Sequence, residues 1–156
     1  MRPTILALDL EGTLISNAVS QIPRPGLFQF LERVSSQFEE LVMFTTVPEP
    51  LTRSIAGLLV REGSAPEWFS QLAYVRWSGK TKDLSYVCPR LGAALLLDDH
   101  GPYVHPGQEQ FWVEISLFGS PYSDDDKGLT VAAEQLKERL STLENLVASK
   151  ARPEHL

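Results

Sequence analysis

Two almost purely apolar runs, residues 4–8 and 93–97, each stop abruptly at acids: Asp9 after the first, Asp98 and Asp99 after the second. A run without polar alternation is the pattern of a strand covered on both faces, and such strands belong to parallel sheets packed between helices. Runs at 41–44, 72–77 and 111–118 read as three more strands. Between them, apolar residues recur at helical spacing. Leu27, Phe30, Leu31 and Val34 follow Pro25-Gly26, and Leu51, Ile55, Leu58 and Leu59 lead to Gly63. Leu129, Ala133, Leu136, Leu140, Leu143 and Val147 mark a long last helix, and residues 83–90 fit a short one ended by Pro89. Strands alternating with helices predict an α/β fold, a Rossmann-like three-layer sandwich around a five-stranded, mainly parallel sheet. The chain has 156 residues and no linker-like break, so a single domain over residues 1–148 with a frayed tail at 149–156 is expected.

Composition narrows the function. A net charge of −6 argues against nonspecific nucleic-acid binding, which needs a basic surface to displace counterions. It leaves a phosphorylated ligand open, because a few local cations outweigh a distant net charge. Cys88 is the only cysteine, so no internal disulfide can form. The first apolar run is far too short for a signal peptide or a membrane span, and the expected location is cytoplasmic.

In a parallel α/β sheet, ligands bind in the crevice beyond the carboxyl ends of the strands. Four of the five runs carry polar groups at or shortly after that end: Asp9 with Glu11, Thr45, Lys82, and Asp98 with Asp99. Carboxylates, a hydroxyl and an ammonium around one crevice are what phosphoryl transfer to a carboxylate nucleophile requires. A signalling receiver domain combines similar groups, but its acidic pair comes first and its phosphoacceptor mid-chain, the reverse of the order here.

The run Ile5-Leu6-Ala7-Leu8-Asp9-Leu10-Glu11-Gly12-Thr13-Leu14 resembles the first motif of the haloacid-dehalogenase superfamily, a strand followed by Asp-x-Asp-Gly-Thr. Arg24-Pro25-Gly26-Leu27 with Phe30-Leu31, then Phe44-Thr45, Lys82-Asp83-Leu84-Ser85 and Leu97-Asp98-Asp99 resemble, in order, its capless branch of small C-terminal-domain, or NLI-interacting-factor-like, phosphatases. The resemblance implies a phosphomonoester hydrolase in which Asp9 forms an aspartyl-phosphate. Thr45 (or its neighbour Thr46) binds a phosphoryl oxygen, and Lys82 pairs with Asp9 and the phosphate, with Lys80 its rival in the sequence. It also implies Mg2+ held by Asp9, the backbone carbonyl of Glu11 and Asp99, with Asp98 either a further ligand or the partner that orients Lys82. Arg76 lies near the place of a phosphate-side arginine in that branch.

Glu11 departs from the pattern, standing where the branch has its acid/base aspartate. Glutamate is a carboxylate of similar pKa but one methylene longer, and a misplacement of about 1 Å can cost roughly 100-fold in rate. Three outcomes stay open: a working phosphatase, a slow one, or a phosphate- or partner-binding pseudophosphatase.

Neither the segment between Thr45 and Lys82 nor the loop at 16–25 can fold as a separate cap, since an independent domain needs roughly 50 residues. An open site suits a bulky substrate. A phosphoprotein is expected, as in the branch's eukaryotic members; a nucleic-acid end is the alternative, and the sequence is silent on oligomeric state. Other features read as structural. His100 and His105 sit in a Gly/Pro-rich loop without a compact zinc ligand set, and Asp124-Asp125-Asp126 suits a solvated helix start better than calcium. Cys88 reads as a buried apolar residue, and Trp68, Trp77 and Trp112 as packing.

Overall fold

The computed structural model describes residues 2–151. Its five strands are β1 (Ile5–Leu8), β2 (Glu40–Met43), β3 (Ala73–Tyr74), β4 (Ala94–Asp98) and β5 (Trp112–Glu114). They form one sheet of order β3-β2-β1-β4-β5 in which every pairing is parallel. The two runs that stop at acids take the centre: Leu6 to Leu8 and Leu95 to Leu97 are essentially inaccessible. That burial on both faces is why they lack polar alternation. The register sets Leu8 beside Leu97, so Asp9 and Asp98 follow side by side on adjacent strands.

Three helices flank the sheet: α1 (Leu27–Ser35), α2 (Glu49–Arg61) and α3 (Gly128–Ala151). Leu27, Phe30, Leu31 and Val34 of α1 are buried, as their spacing implies, and α1 packs against α3, which also lies along β5. In α2 the buried positions are Thr52, Ile55, Ala56 and Leu59, so Leu51 faces outward. Gly63, with φ of 76°, stands just past its end, in the left-handed conformation that terminates helices. No large cap is inserted among the described residues, and none of their helices is long and apolar enough to cross a membrane. Of the expected tail, residues 149–151 continue α3 and residues 152–156 lie outside the described residues.

The edge strands are shorter than their apolar runs, and in both cases the surplus chain is diverted toward the site. After Val75 donates to the Met43 carbonyl the chain leaves β2, and the Trp77 indole N–H takes the Thr45 carbonyl at 3.0 Å instead. Beyond β5, Ile115 still donates to Asp98, but Phe118 donates to the Gly12 carbonyl at 2.8 Å, so this stretch walls the turn after β1. Residues 83–90 make only a single 3-10 turn, Leu84–Tyr86, capped by the Asp83 carboxylate. Three further 3-10 turns, at Glu67–Gln71, Gly101–Tyr103 and Glu109–Phe111, were not among the expected elements.

Candidate active site

Adjacent acids at the tips of two central strands need a cation between them, and Lys82 supplies it. Its backbone N–H donates to Tyr103 O at 2.6 Å, which anchors its segment beside the loop after β4. From there the ammonium donates to Asp9 Oδ1 at 2.9 Å and to Asp98 Oδ2 at 2.5 Å. The Lys82 side chain is fully buried, with the Tyr103 ring centroid 5.1 Å from the ammonium. Lys80, by contrast, is exposed. On the other side of Asp9, the Thr13 hydroxyl lies 2.8 Å from Asp9 Oδ2 and 3.1 Å from Asp99 Oδ1; its one proton serves either carboxylate.

The balance of charge is negative. Burial pushes the Asp9 carboxyl up from 3.8 to about 6, even against the pull of the Lys82 ammonium. Burial, and then the Asp9 charge, likewise push Asp98 up to about 6. For Lys82, burial pulls its pKa down but Asp9 and Asp98 outweigh it, and the ammonium is held more firmly charged than usual. One cation therefore serves two buried carboxylates, with a third alongside. Asp9, Asp98 and Asp99 each offer an oxygen within 4.8 Å of the others, the group among the described residues that could hold a metal ion. Hard oxygen donors with spare negative charge fit a cation such as Mg2+. Both oxygens of Asp98 are already engaged, by Lys82 and by the His100 amide at 2.9 Å, whereas Asp99 spends only Oδ1, on Thr13.

A cavity of about 280 Å³ opens over these groups, lined by Asp9, Glu11, Asp99, Thr46, His100, Tyr103 and others. Gly12, with φ of 74°, forms its floor; a Cβ there would lie 2.8 Å from Asp99 Oδ2 and 2.7 Å from Leu117 Cδ1. Glu11 lines the cavity, and its Oε2 accepts the Ala18 amide at 2.7 Å, so the acid also tethers the loop at 16–25.

The remaining sequence candidates fall around this centre. Thr45 is buried, with its hydroxyl oxygen accepting the Val47 amide, and it lines a second cavity of about 390 Å³ rather than the one over Asp9. The exposed Thr46 lines both. Arg76 stands on the rim of the second cavity, 86% exposed and bonded to Glu49. His105 is taken up by Thr81 and Asp83, and His100 is set edge-on against Tyr103. Cys88 is half-buried rather than buried. Trp68, Trp77 and Trp112 pack against the core as expected. Asp126 is more than a solvated helix start: it caps the Gly128 amide and pairs with Arg24.

Sequence reasoning missed Thr13 as the bridge between the two acids, although it stands in the quoted first motif. It also missed Tyr103 over Lys82, and the indoles of Trp77 and Trp112, which take the Thr45 and Asp98 carbonyls at the strand ends. A short-range motif gives no signal for contacts made across such distances in the chain.

Compared with known proteins, residues 4–149 match the profile of a family described as NLI interacting factor-like phosphatase. No curated protein matches the chain. Among solved structures, a hypothetical protein from Xanthomonas campestris is similar at 11% identity, covering 97% of this chain and 90% of its own, with a TM-score of 0.45.

Proposed function

The chain belongs to the NLI interacting factor-like phosphatases, and from that premise we propose that it hydrolyses phosphomonoesters through an aspartyl-phosphate on Asp9, with Mg2+ as cofactor. The observation that carries the reading is the pair of contacts at Asp9, with Lys82 on one oxygen and Thr13 on the other, at the floor of an open cavity. An Asp9 oxygen attacks phosphorus and the ester oxygen leaves. Lys82 keeps its proton and opposes the charge on the phosphoryl group and on Asp9, while Asp98 holds the ammonium in place. Glu11 gives its proton to the departing oxygen, then takes one from the water that attacks the aspartyl-phosphate, which returns Asp9 and releases phosphate. Asp9, Asp99 and the Glu11 carbonyl would hold the Mg2+, which supplies positive charge to the phosphoryl oxygens. Thr46, exposed in the cavity, and Thr45 beneath it are the hydroxyl candidates for a phosphoryl oxygen, with Arg76 further out on the rim.

The openness of the site suits a phosphate carried on a large partner, and a phosphoprotein in the cytoplasm is the proposed substrate. A second reading has one observation in its favour. Glu11 Oε2 is bonded to the Ala18 amide, and a carboxylate held there is a poor acid/base, which would leave a phosphate-binding protein with little turnover.

Rates for the parent, Glu11→Gln, Glu11→Asp and Asp9→Asn on p-nitrophenyl phosphate and on phosphoserine and phosphothreonine peptides separate the readings. Loss in Asp9→Asn and in Glu11→Gln supports the phosphatase. Equal rates for the parent and Glu11→Gln remove Glu11 from the mechanism, and an inactive parent that still binds phosphate supports the second reading. Release of phosphate from a 3′- or 5′-phosphorylated oligonucleotide in preference to peptides would move the substrate to nucleic-acid ends.

A further inference from the structure

Arg24 heads the large side chains that are fully buried. An arginine removed from water must satisfy five N–H donors or bear the cost of desolvating them. Here the guanidinium makes five bonds. Nε and Nη2 grip the two Asp126 oxygens at 2.8 and 3.3 Å, and Nη2 also reaches Ser116 Oγ at 3.0 Å. Nη1 donates to the carbonyls of Gly12 and Thr13 at 3.2 and 3.3 Å. Its charge also sits 5.5 Å from the Phe118 ring centroid.

Asp126 would satisfy the charge by itself; the other contacts are aimed. The two carbonyls belong to the turn that follows Asp9 and Glu11, and they flank the peptide of the residue whose hydroxyl bridges Asp9 and Asp99. Ser116 precedes Leu117, whose side chain lies against Gly12 on the cavity wall. One guanidinium thus spans the nucleophile turn, the wall facing it and the start of α3.

We infer that Arg24 is a positioning residue, a buried clamp backed by Asp126 that fixes the Gly12 and Thr13 carbonyls and, through Thr13, the seating of Asp9 and Asp99. The inference rests on the reading of Asp9 as nucleophile and metal ligand. The clamp also explains a glycine: a Cβ at Gly128, the first residue of α3, would lie 1.9 Å from Arg24 Nη2. Gly128→Ala therefore displaces the guanidinium without touching its charge, although alanine is the better helix former.

The test compares the full-length parent with Arg24→Met, Arg24→Lys and Gly128→Ala by amide hydrogen exchange, Mg2+ calorimetry and p-nitrophenyl phosphate kinetics. Faster exchange is expected at Gly12, Leu14 and Ile15, whose amides close the turn, with β1 and β4 unchanged. Mg2+ affinity should fall, by less than the roughly 10- to 100-fold that losing a direct partner of a metal ligand costs, because Arg24 acts through Thr13, and kcat should fall more than KM changes. Arg24→Lys keeps the charge but not the fork and should recover only part. Exchange rising uniformly across the sheet would make Arg24 a general packing residue and overturn the inference, as would parent-like turn amides in Gly128→Ala and Arg24→Lys. A parent that neither binds Mg2+ nor releases phosphate would defeat the reading of Asp9 instead, and the exchange data would still decide the clamp. If Arg24→Met does not fold, the other two variants decide.

Discussion

Replacing Asp9 by Asn should abolish turnover and at the same time stabilise the metal-free protein at neutral pH. Burial raises the Asp9 carboxyl from 3.8 to about 6 in the folded chain. An acid raised in this way keeps its proton longer when folded than when unfolded. Its contribution is therefore fully favourable below the unfolded value and is lost as pH climbs through about 6. At about 1.4 kcal/mol per unit, the loss is on the order of 3 kcal/mol. Asparagine has the shape of the protonated acid and nothing to titrate, so it escapes that loss. The attraction of Lys82 is already contained in that figure; one coupling adds to it, since Asp98 is relieved of the Asp9 charge. Urea melts in the presence of a chelator should show the stability difference, variant minus parent, growing by on the order of 3 kcal/mol between about pH 4 and pH 7, then levelling off. Saturating Mg2+ should reverse the order. Mg2+ at about 1,000 times its Kd would stabilise the parent by about 4.1 kcal/mol, more than the difference it has to overcome, and the variant, short of the proposed ligand carboxylate, would receive little of it. A difference that stays flat across that pH range, or Mg2+ that stabilises both proteins equally, would refute the reasoning.

Lys82→Met strands Asp9 and Asp98 without their shared cation; breaking a buried pair costs about 3–5 kcal/mol, and urea melts should show Lys82→Met/Asp98→Asn recovering part of it. Thr13→Val removes the hydroxyl between Asp9 and Asp99, at about 1–3 kcal/mol by the same melts, and parent-like stability would dismiss the bridge. Leu97→Ala, beneath the acidic pair and fully buried, should cost about 2–5 kcal/mol in thermal or urea unfolding.

The central half of the fold was legible because burial on both faces leaves a plain mark. Residues 5–8 and 94–97 are apolar without alternation, and they turned out to be neighbours in register. The helices were legible for the matching reason: α1 and α3 bury one stripe each, and the stripe repeats at the helical period. The edges were not. The run at 111–118 is as apolar as a strand, yet only Trp112–Glu114 pair with β4, because Phe118 is claimed by Gly12 rather than by the sheet. Apolar content records burial, and burial against the turn after β1 looks the same in one dimension as burial within a sheet.

The site divides along a similar line. Asp9, Asp98 and Asp99 could be read because they follow the strands that place them, and the sheet does the rest of the work. Lys82 could be placed near them but not chosen over Lys80 on spacing alone; what separates the two is that the Lys82 amide is tied to Tyr103 while Lys80 is exposed. Arg24 and Asp126 were visible only as a motif fragment and an acidic run, since nothing in a sequence pairs residues so far apart. Charge nonetheless required some such pairing. A buried guanidinium must meet an acid, and the acid it met is the one that also caps α3. Glu11 shows the reverse limit. Its extra methylene was plain in the sequence, but whether that length serves the leaving oxygen or the Ala18 amide depends on where the loop at 16–25 lies. The same oxygen cannot accept from that amide and face an attacking water, so the acid/base role proposed for Glu11 would require either its free oxygen or a release of the loop.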